Sequence, residues 1–370
     1  LRFAFVATLL LAVAAVAPAA ATPAHVVVDV VTGTVLSERS GDRLWYPASV
    51  TKLMTAYLVF KALKTGQLKS TSPVVVSANA LSEPPSKMGY RVGTVMNVDN
   101  ALKMMIVKSA NDIAVALAET VGGSEAKFVA LMNREAERLG MNSTNYDNPN
   151  GLPADGQYTT ARDLAVLARA IWVDFPEYRE LFRIPAIKAG NKVLRSQNAL
   201  LERYRGTNGM KTGFICASGF NMVASATRNG RTLIVVVLGA SSSAERAETA
   251  AKLLDQGFAG SLGPARSLAS FGSARARGTP VNLRDEVCGK WKKATAAIEA
   301  DAGGDPVTSL IGQKFVLMAP VPVYTGRADP LPGKAAPVTV SAASSAAKVP
   351  LPRLRPPYPV GAGAILNASQ

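Results

Sequence analysis

Ser49 and Lys52 have the types and spacing for nucleophilic catalysis, within the stretch Trp45-Tyr46-Pro47-Ala48-Ser49-Val50-Thr51-Lys52-Leu53-Met54-Thr55-Ala56-Tyr57. At positions i and i+3 the two side chains share one helix face within a single turn. A serine hydroxyl becomes a good nucleophile when a base takes its proton, and a lysine can be that base once burial lowers its pKa. The surroundings supply the burial. Residues 49–63 read as a helix with apolar side chains on nearly every side, the composition of a helix inside a core. Pro47 suits the helix entry, where a missing N–H costs nothing. The positive end of the helix dipole favours negative charge developing beside Ser49.

Spacing alone does not single out this pair. Ser124-Glu-Ala-Lys127 and Ser345-Ala-Ala-Lys348 repeat it, and such pairs are ordinarily solvated helix faces. Ser49 is distinguished by its apolar helix and by two further groups. Ser109-Ala110-Asn111 offers a hydroxyl and an amide at a break between two helical stretches, Val98–Val107 and 112–121. Lys211-Thr212-Gly213 follows the turn-rich Gly206-Thr207-Asn208-Gly209 and precedes a hairpin. An ammonium and a hydroxyl along a sheet edge there can hold a carboxylate. The identical Lys64-Thr65-Gly66 reads instead as a helix end capped by Gly66.

The elements that must position these groups alternate in character. Residues 25–31 and Val35-Leu36 read as strands joined around Thr32-Gly33, and 72–77 as a further short strand. Residues 82–91 form a Pro-rich loop, 126–139 and 160–172 read as helices, and 147–153 is turn-rich. Two β-branched runs, 219–227 and 232–238, flank Asn229-Gly230, a strong hairpin signal, and 244–258 closes with a helix. Strands at both ends with helices between predict an α+β domain over 22–260, its antiparallel sheet assembled from both termini. Residues 261–370 loosen into Ala, Pro, Ser and Gly with scattered Lys and Arg. That composition predicts a low-complexity, largely disordered tail, clearest over 335–359, with no amphipathic membrane anchor.

Residues 1–21 carry Arg2, an apolar run over 3–16 and then Pro18-Ala19-Ala20-Ala21, the pattern of a secretory signal peptide. The mature chain is therefore expected in the periplasm or cell envelope. A net charge of +15 calls for an anionic neighbourhood. No zinc-finger spacing or RNP-type strand points to nucleic acid, so envelope polymers and lipid head groups are the expected electrostatic contacts. The single histidine, His25, lies in the first strand and reads as an ordinary strand residue, leaving none for a Ser-His-Asp triad. One His and two distant Cys cannot build a zinc site either, so neither metal nor cofactor is expected. Acid–base work falls to Lys, Asp, Glu or Tyr.

In order and spacing, Pro47-Ala-Ser-Val-Thr-Lys-Leu-Met-Thr55, Lys108-Ser-Ala-Asn-Asp112, Asn148-Pro-Asn-Gly-Leu-Pro153, Ala161-Arg-Asp-Leu-Ala165 and Gly209-Met-Lys-Thr-Gly213 resemble the low-molecular-mass penicillin-binding proteins, serine-type D-alanyl-D-alanine carboxypeptidases. The resemblance runs from about His25 to Phe258. It implies a β-lactamase/transpeptidase-like fold with a helical subdomain, and removal of the terminal D-alanine from peptidoglycan stem peptides. It also implies covalent inhibition by β-lactams. Ser49 would be the acylated nucleophile, Lys52 its base and Ser109 a proton relay to the leaving amine. Asn111 would hold the substrate amide, while Lys211 and Thr212 would bind its carboxylate with help from Arg246. The backbone N–H groups of Ser49 and Phe214, the latter following Gly213, would form the oxyanion hole. Phe214 stands where some members carry His, which bears on subsite preference. D,D-endopeptidase action, a class A-like β-lactamase and a non-enzymatic envelope-binding protein are the competing readings. The 147–153 loop has no glutamate of the kind class A β-lactamases use for deacylation. Two cysteines in an exported chain can pair. A Cys216–Cys288 bond would tie the start of the tail to the edge of the site; the alternative is a buried Cys216 and a free Cys288.

Overall fold

The β-branched runs from the two ends of the domain meet in one sheet. The computed structural model describes residues 22–261, 266–272, 274–289 and 311–327. The signal peptide expected over 1–21 and the low-complexity stretch 335–359 lie outside these residues. The chain opens with the hairpin β1 (Ala24–Asp29) and β2 (Thr34–Arg39), then passes through a 3-10 turn, Ala48–Thr51, into α1 (Lys52–Lys64). A mainly helical block follows: β3 (Pro73–Val75), α2 (Ala78–Ser82), β4 (Thr94–Asn97), α3 (Val98–Val107), α4 (Asn111–Gly122), α5 (Glu125–Arg138) and α6 (Ala161–Asp174). A 3-10 stretch, Pro176–Arg183, leads to a small hairpin, β5 (Ala186–Ala189) and β6 (Lys192–Arg195). Then come β7 (Thr207–Ile215), β8 (Gly219–Arg228), β9 (Arg231–Ala240) and α7 (Ser243–Phe258). Beyond them lie β10 (Arg266–Ser267), α8 (Arg284–Val287), β11 (Val321–Val323) and β12 (Gly326–Arg327).

The main sheet has the order β10-β2-β1-β9-β8-β7, so the first hairpin pairs directly with the last long strands. Valine alternation builds its two faces. Val26, Val28, Ile234 and Val236 join the large core with α1 and α6, whereas Val27, Val235 and Val237 pack against Ala247, Ala250 and Leu254 of α7. Asn229 and Gly230 turn β8 into β9 with φ of 50° and 76°, the left-handed conformations a two-residue hairpin requires. His25 donates to or accepts from Ser37 Oγ across the β1–β2 pair at 3.1 Å; burial first, then Arg39, pushes its pKa down to about 4.

The segment after residue 260 contributes more structure than its composition suggests. β10 extends the main sheet beside β2, β11 pairs in parallel with β5, and β12 pairs with β4. Polar chemistry accounts for the docking of 266–272. Arg162 is buried on α6 beside Asp163 at 3.0 Å, and its guanidinium donates to the Phe271 and Leu268 carbonyls at 3.0 and 3.2 Å and to that of Gly140. Leu268 and Leu283 are buried, and the Leu283 N–H donates to the Ala217 carbonyl at 2.9 Å. A composition rich in small residues and Pro hid these contacts, because each depends on a partner more than 60 residues away. The small β5–β6 hairpin was likewise not legible, having only four residues per strand and little apolar alternation.

Cys216 and Cys288 form a disulfide in this structure, joining the end of β7 to the residue after α8. Closing that loop restricts the unfolded chain by about 4 kcal/mol at most. Native protein unfolded without reductant should therefore resist alkylation at both positions, and reduction should add two alkyl groups by mass. A single reactive thiol before reduction would refute the bond.

Candidate active site

α1 is buried on all sides, so its first residue, Lys52, begins the helix inside the core with no solvent exposure. Its amine has three polar neighbours: Ser49 Oγ at 2.8 Å, Asn111 Oδ1 at 2.8 Å and the Asn150 carbonyl at 2.5 Å. Burial, and secondarily the charge of Lys211, holds its pKa well below the ordinary lysine value; Glu83 and Asp112 act in the opposite direction. For the neutral form of the amine, the hydrogen-bond inventory fixes the direction of the lone pair. A neutral amine has two N–H donors and one acceptor site. The Asn150 carbonyl can only accept. Asn111 must present its oxygen, because its Nδ2 donates to the Pro84 carbonyl at 3.0 Å. The charged form donates its third N–H to Ser49 Oγ at 2.8 Å, whereas a neutral Lys52 would use both donors on these two oxygens and turn its lone pair to the Ser49 hydroxyl. That is the arrangement for general-base activation of a serine.

Each contact is held by a local device. Ala48 has φ of +50°, a left-handed conformation uncommon for a residue with a Cβ, which reverses the chain between Pro47 and Ser49. Asn221 of β8 fastens that turn to the sheet, its Nδ2 donating to the Tyr46 and Pro47 carbonyls at 2.9 and 3.1 Å while its Oδ1 accepts from Gly239 N at 3.0 Å. Trp45 exchanges two backbone hydrogen bonds with Thr159, of 2.8 and 2.9 Å. The loop bearing Asn150 is pinned by Thr55 Oγ1, which donates to the Pro149 carbonyl at 2.6 Å, and shaped by buried Gln157, which accepts from the N–H groups of Asp147 and Asn148. Gly151 sits against the nucleophile turn at φ +89°, where a Cβ would run into the Ala48 carbonyl. The Pro-rich loop is tied to α4 by the Asp112 carboxylate, which accepts from Met88 N and Gly89 N at 3.0 and 2.8 Å.

Ser49 opens onto a cavity of about 300 Å³ walled by Pro85, Ser86, Ser109, Asn111, Gly151, Leu152, Pro153, Gln197, Gly213, Phe214, Ile215, Cys216, Phe220 and Arg284. Ser109 stands on this wall at φ +64°, at the break between α3 and α4. β7 is the edge strand of the main sheet and runs past the nucleophile turn. A Cβ at Gly213 would lie 2.9 Å from Ser49 N and 3.0 Å from Val50 N, so only glycine keeps the space before these N–H groups open. The Phe214 ring packs on Phe220 at 4.3 Å.

The expected carboxylate-binding side chains sit deeper than the sequence implied. Lys211, Thr212 and Arg246 are nearly fully buried and do not line the cavity. The edge strand is covered by the 3-10 segments around it, the usual protection of an unpaired edge. The Lys211 amine donates to the Thr212 carbonyl at 2.9 Å, and burial followed by the charge of Arg246 brings its pKa down to about 7. Arg246 donates to the Gln197 carbonyl at 3.1 Å and lies over the Phe220 ring. Asn111 also differs from expectation, since its amide is engaged with Pro84 and Lys52 rather than held open.

A family model described as D-alanyl-D-alanine carboxypeptidase, peptidase family S11, matches residues 12–242. The chain belongs to this family. The D-alanyl-D-alanine carboxypeptidase DacC of Escherichia coli is 37% identical over 249 residues, covering 65% of this chain and 62% of the relative. The chain thus matches less than two thirds of that carboxypeptidase's length. Penicillin binding protein 5 from Haemophilus influenzae superposes with a TM-score of 0.62 at 34% identity, covering 66% of this chain and 72% of the other. Penicillin-Binding Protein D2 from Listeria monocytogenes, solved in a cefotaxime-bound form, gives a TM-score of 0.58 at 31% identity over 64% of this chain and 96% of its own. These likenesses carry the transpeptidase-like α+β fold of the family onto this carboxypeptidase-family chain.

Sequence reasoning passed over Glu83, Asn221 and Gln157. Glu83 is the most consequential, since it accepts from Asn150 Nδ2 at 3.0 Å and its charge supports a proton on Lys52. Its own carboxyl is pushed up by burial and by Glu125. Only its place in a Pro-rich loop hinted at it, and a loop position says nothing about which buried amine it faces. Glu83→Gln keeps the hydrogen-bond acceptor and removes the charge, so the Lys52 pKa should fall further. Titration of carbon-labelled lysine by NMR should show one amine near pH 7, assigned to Lys211, and a second well below ordinary lysines that moves to lower pH in Glu83→Gln. An unmoved Lys52 titration would contradict this electrostatic role.

Proposed function

We propose that this chain is a serine D,D-carboxypeptidase that removes the terminal D-alanine from peptidoglycan stem peptides. The observation that carries the reading is the buried Lys52 amine, 2.8 Å from Ser49 Oγ and bonded to Asn111 Oδ1 and the Asn150 carbonyl, so that its neutral form would turn its lone pair toward Ser49. In this reading Ser49 Oγ attacks the carbonyl carbon of the penultimate D-alanine while its proton passes to Lys52. The backbone N–H groups of Ser49 and Phe214 hold the oxyanion, each such donor typically mattering by about 10²–10³ in rate. The C–N bond breaks as the leaving amine takes a proton relayed through Ser109. Water then hydrolyses the ester, releasing the shortened peptide and restoring Ser49. Asn111 orients Lys52, and the terminal carboxylate is drawn toward Lys211 and Thr212, which lie on β7 behind the cavity wall at Gly213, with Arg246 beyond them.

The family membership supports this chemistry, and a β-lactam would acylate Ser49 as a substrate mimic. The expected signal peptide and the charge of +15 support work outside the cytoplasm beside anionic envelope polymers. Among the described residues no helix is long and apolar enough to cross a membrane.

Purified protein should form one covalent adduct per chain with a fluorescent penicillin, on the peptide containing Ser49. Ser49→Ala should abolish both the adduct and D-alanine release. Labelling of Ser109 instead would overturn the assignment.

A peptide ending in a free D-Ala-D-Ala carboxylate should be cleaved at least about tenfold better than its C-terminal amide, the scale of one charge-assisted contact. Equal turnover of the two would favour endopeptidase action and remove Lys211 and Thr212 from the carboxylate site.

A further inference from the structure

We propose that Arg284 is a specificity-determining residue that reads a carboxylate on the acyl part of the stem peptide, upstream of the bond that breaks. The proposal rests on the carboxypeptidase reading above. Arg284 belongs to a segment distant in sequence from every other wall of the cavity, yet it lines the same space as Ser49. Three attachments bring it there. The Cys216–Cys288 bond joins the end of its helix to β7, Leu283 N donates to the Ala217 carbonyl at 2.9 Å, and Val281 N donates to the Leu44 carbonyl at 3.0 Å. Leu283 is buried beneath them, so Arg284 projects from an anchored base. Its N–H is further satisfied by Asn282 Oδ1 at 3.0 Å.

The position along β7 says which part of a substrate Arg284 would meet. Gly213 faces Ser49, Lys211 and Thr212 lie on one side of it, and Phe214, Ile215 and Cys216 continue on the other. Strand rise is about 3.3 Å per residue, so Cys216 lies roughly 10 Å beyond the reaction centre. A peptide whose terminal carboxylate sits at Lys211 and Thr212 and whose scissile carbonyl sits at Ser49 must extend toward Cys216 and Arg284. The third residue before the scissile bond, about 10 Å back along an extended chain, therefore passes within reach of the guanidinium. Every other residue lining the cavity is uncharged, which leaves Arg284 as its charged lining residue. Asp285 and Glu286 are exposed neighbours, but no acidic side chain among the described residues forms an ion pair with Arg284. A guanidinium in this setting suits a carboxylate, which it can bind with two parallel hydrogen bonds.

The test compares two pentapeptides, L-Ala-γ-D-Glu-L-Lys-D-Ala-D-Ala and the same peptide with its glutamyl α-carboxylate converted to a carboxamide. The readout is the ratio of their kcat/KM values within each variant, in which any general loss of activity cancels. Wild-type protein should prefer the carboxylate about three- to tenfold, the range of a partly exposed ion pair, and high salt should shrink that preference. Arg284→Ala should bring the ratio to about one, Arg284→Glu should reverse it, and Arg284→Lys should keep part of it. Cys288→Ser should also lower the ratio, because it releases the segment that aims Arg284. A wild-type ratio of one, or a preference that survives Arg284→Ala, overturns the proposal. If D-alanine is still released from both peptides in that case, the carboxypeptidase reading stands. Absence of both D-alanine release and the penicillin adduct overturns the two together.

Discussion

The Lys52 amine is held 2.8 Å from Asn111 Oδ1 and 2.5 Å from the Asn150 carbonyl, with Ser49 Oγ at 2.8 Å in the remaining direction. The three partners come from separate pieces of chain: the nucleophile turn, the start of α4 and the 148–153 loop. An amine that is to act as a base at ordinary pH must be kept out of water, and this requirement reaches far into the fold. It explains why α1 is apolar all round, although a surface helix of that length would carry a polar face. It also explains the large number of devices that hold the loops. A displacement of Asn150 or Asn111 would take an acceptor from the amine and loosen the burial that holds its pKa down.

The charges around the amine are arranged on two scales. Lys211 is close enough to disfavour a second positive charge at Lys52, while Glu83 and Asp112 oppose it from the other side. Both carboxylates also carry structural hydrogen bonds. Asp112 ties down the Pro-rich loop through two backbone N–H groups, and Glu83 holds the side chain of the residue whose carbonyl binds Lys52. The groups that tune the lysine are thus the groups that hold its neighbours in place. Replacing either removes a tether as well as a charge, which is why an isosteric amide separates the two contributions at Glu83.

Much of the architecture was legible because periodicity is local. The bounds of α3, the hairpin at Asn229-Gly230 and the left-handed Gly66 after α1 follow from residues within a few positions of one another. Ser49, Lys52, Ser109 and Gly213 were found the same way, as short patterns in distinctive surroundings. What stayed hidden depends on long-range pairing. Asn221 reads as one polar residue in an apolar strand until its amide is seen holding the Tyr46 and Pro47 carbonyls, some 175 positions away. Arg162 near the start of a helix gives no sign that it will fix 268–271. The depth of Lys211 was missed for a related reason: a sequence can mark an edge strand, but the 3-10 segments that cover it are short, irregular and without a strong signature.

The burial of Lys211 bears on how a substrate would be received. A drop from the ordinary lysine value of 10.5 to about 7 corresponds to roughly 5 kcal/mol of disfavoured charge. The sign follows from proton binding in the two states. Between pH 7 and 10 the unfolded chain binds a proton at this lysine and the folded chain does not, so folding stability rises with pH across that window. At pH 7 or below the cost is present nearly in full. A carboxylate seated beside Lys211 would supply the missing opposite charge, raise its pKa and recover part of that cost as binding energy. The same ligand charge would offset the influence of Lys211 on Lys52, so binding and base strength are linked through one buried pair of lysines. An amide in place of the carboxylate fills the same space and brings none of this relief. Discrimination between them therefore draws on strain already present in the empty site, and needs no contact unique to the carboxylate beyond its charge.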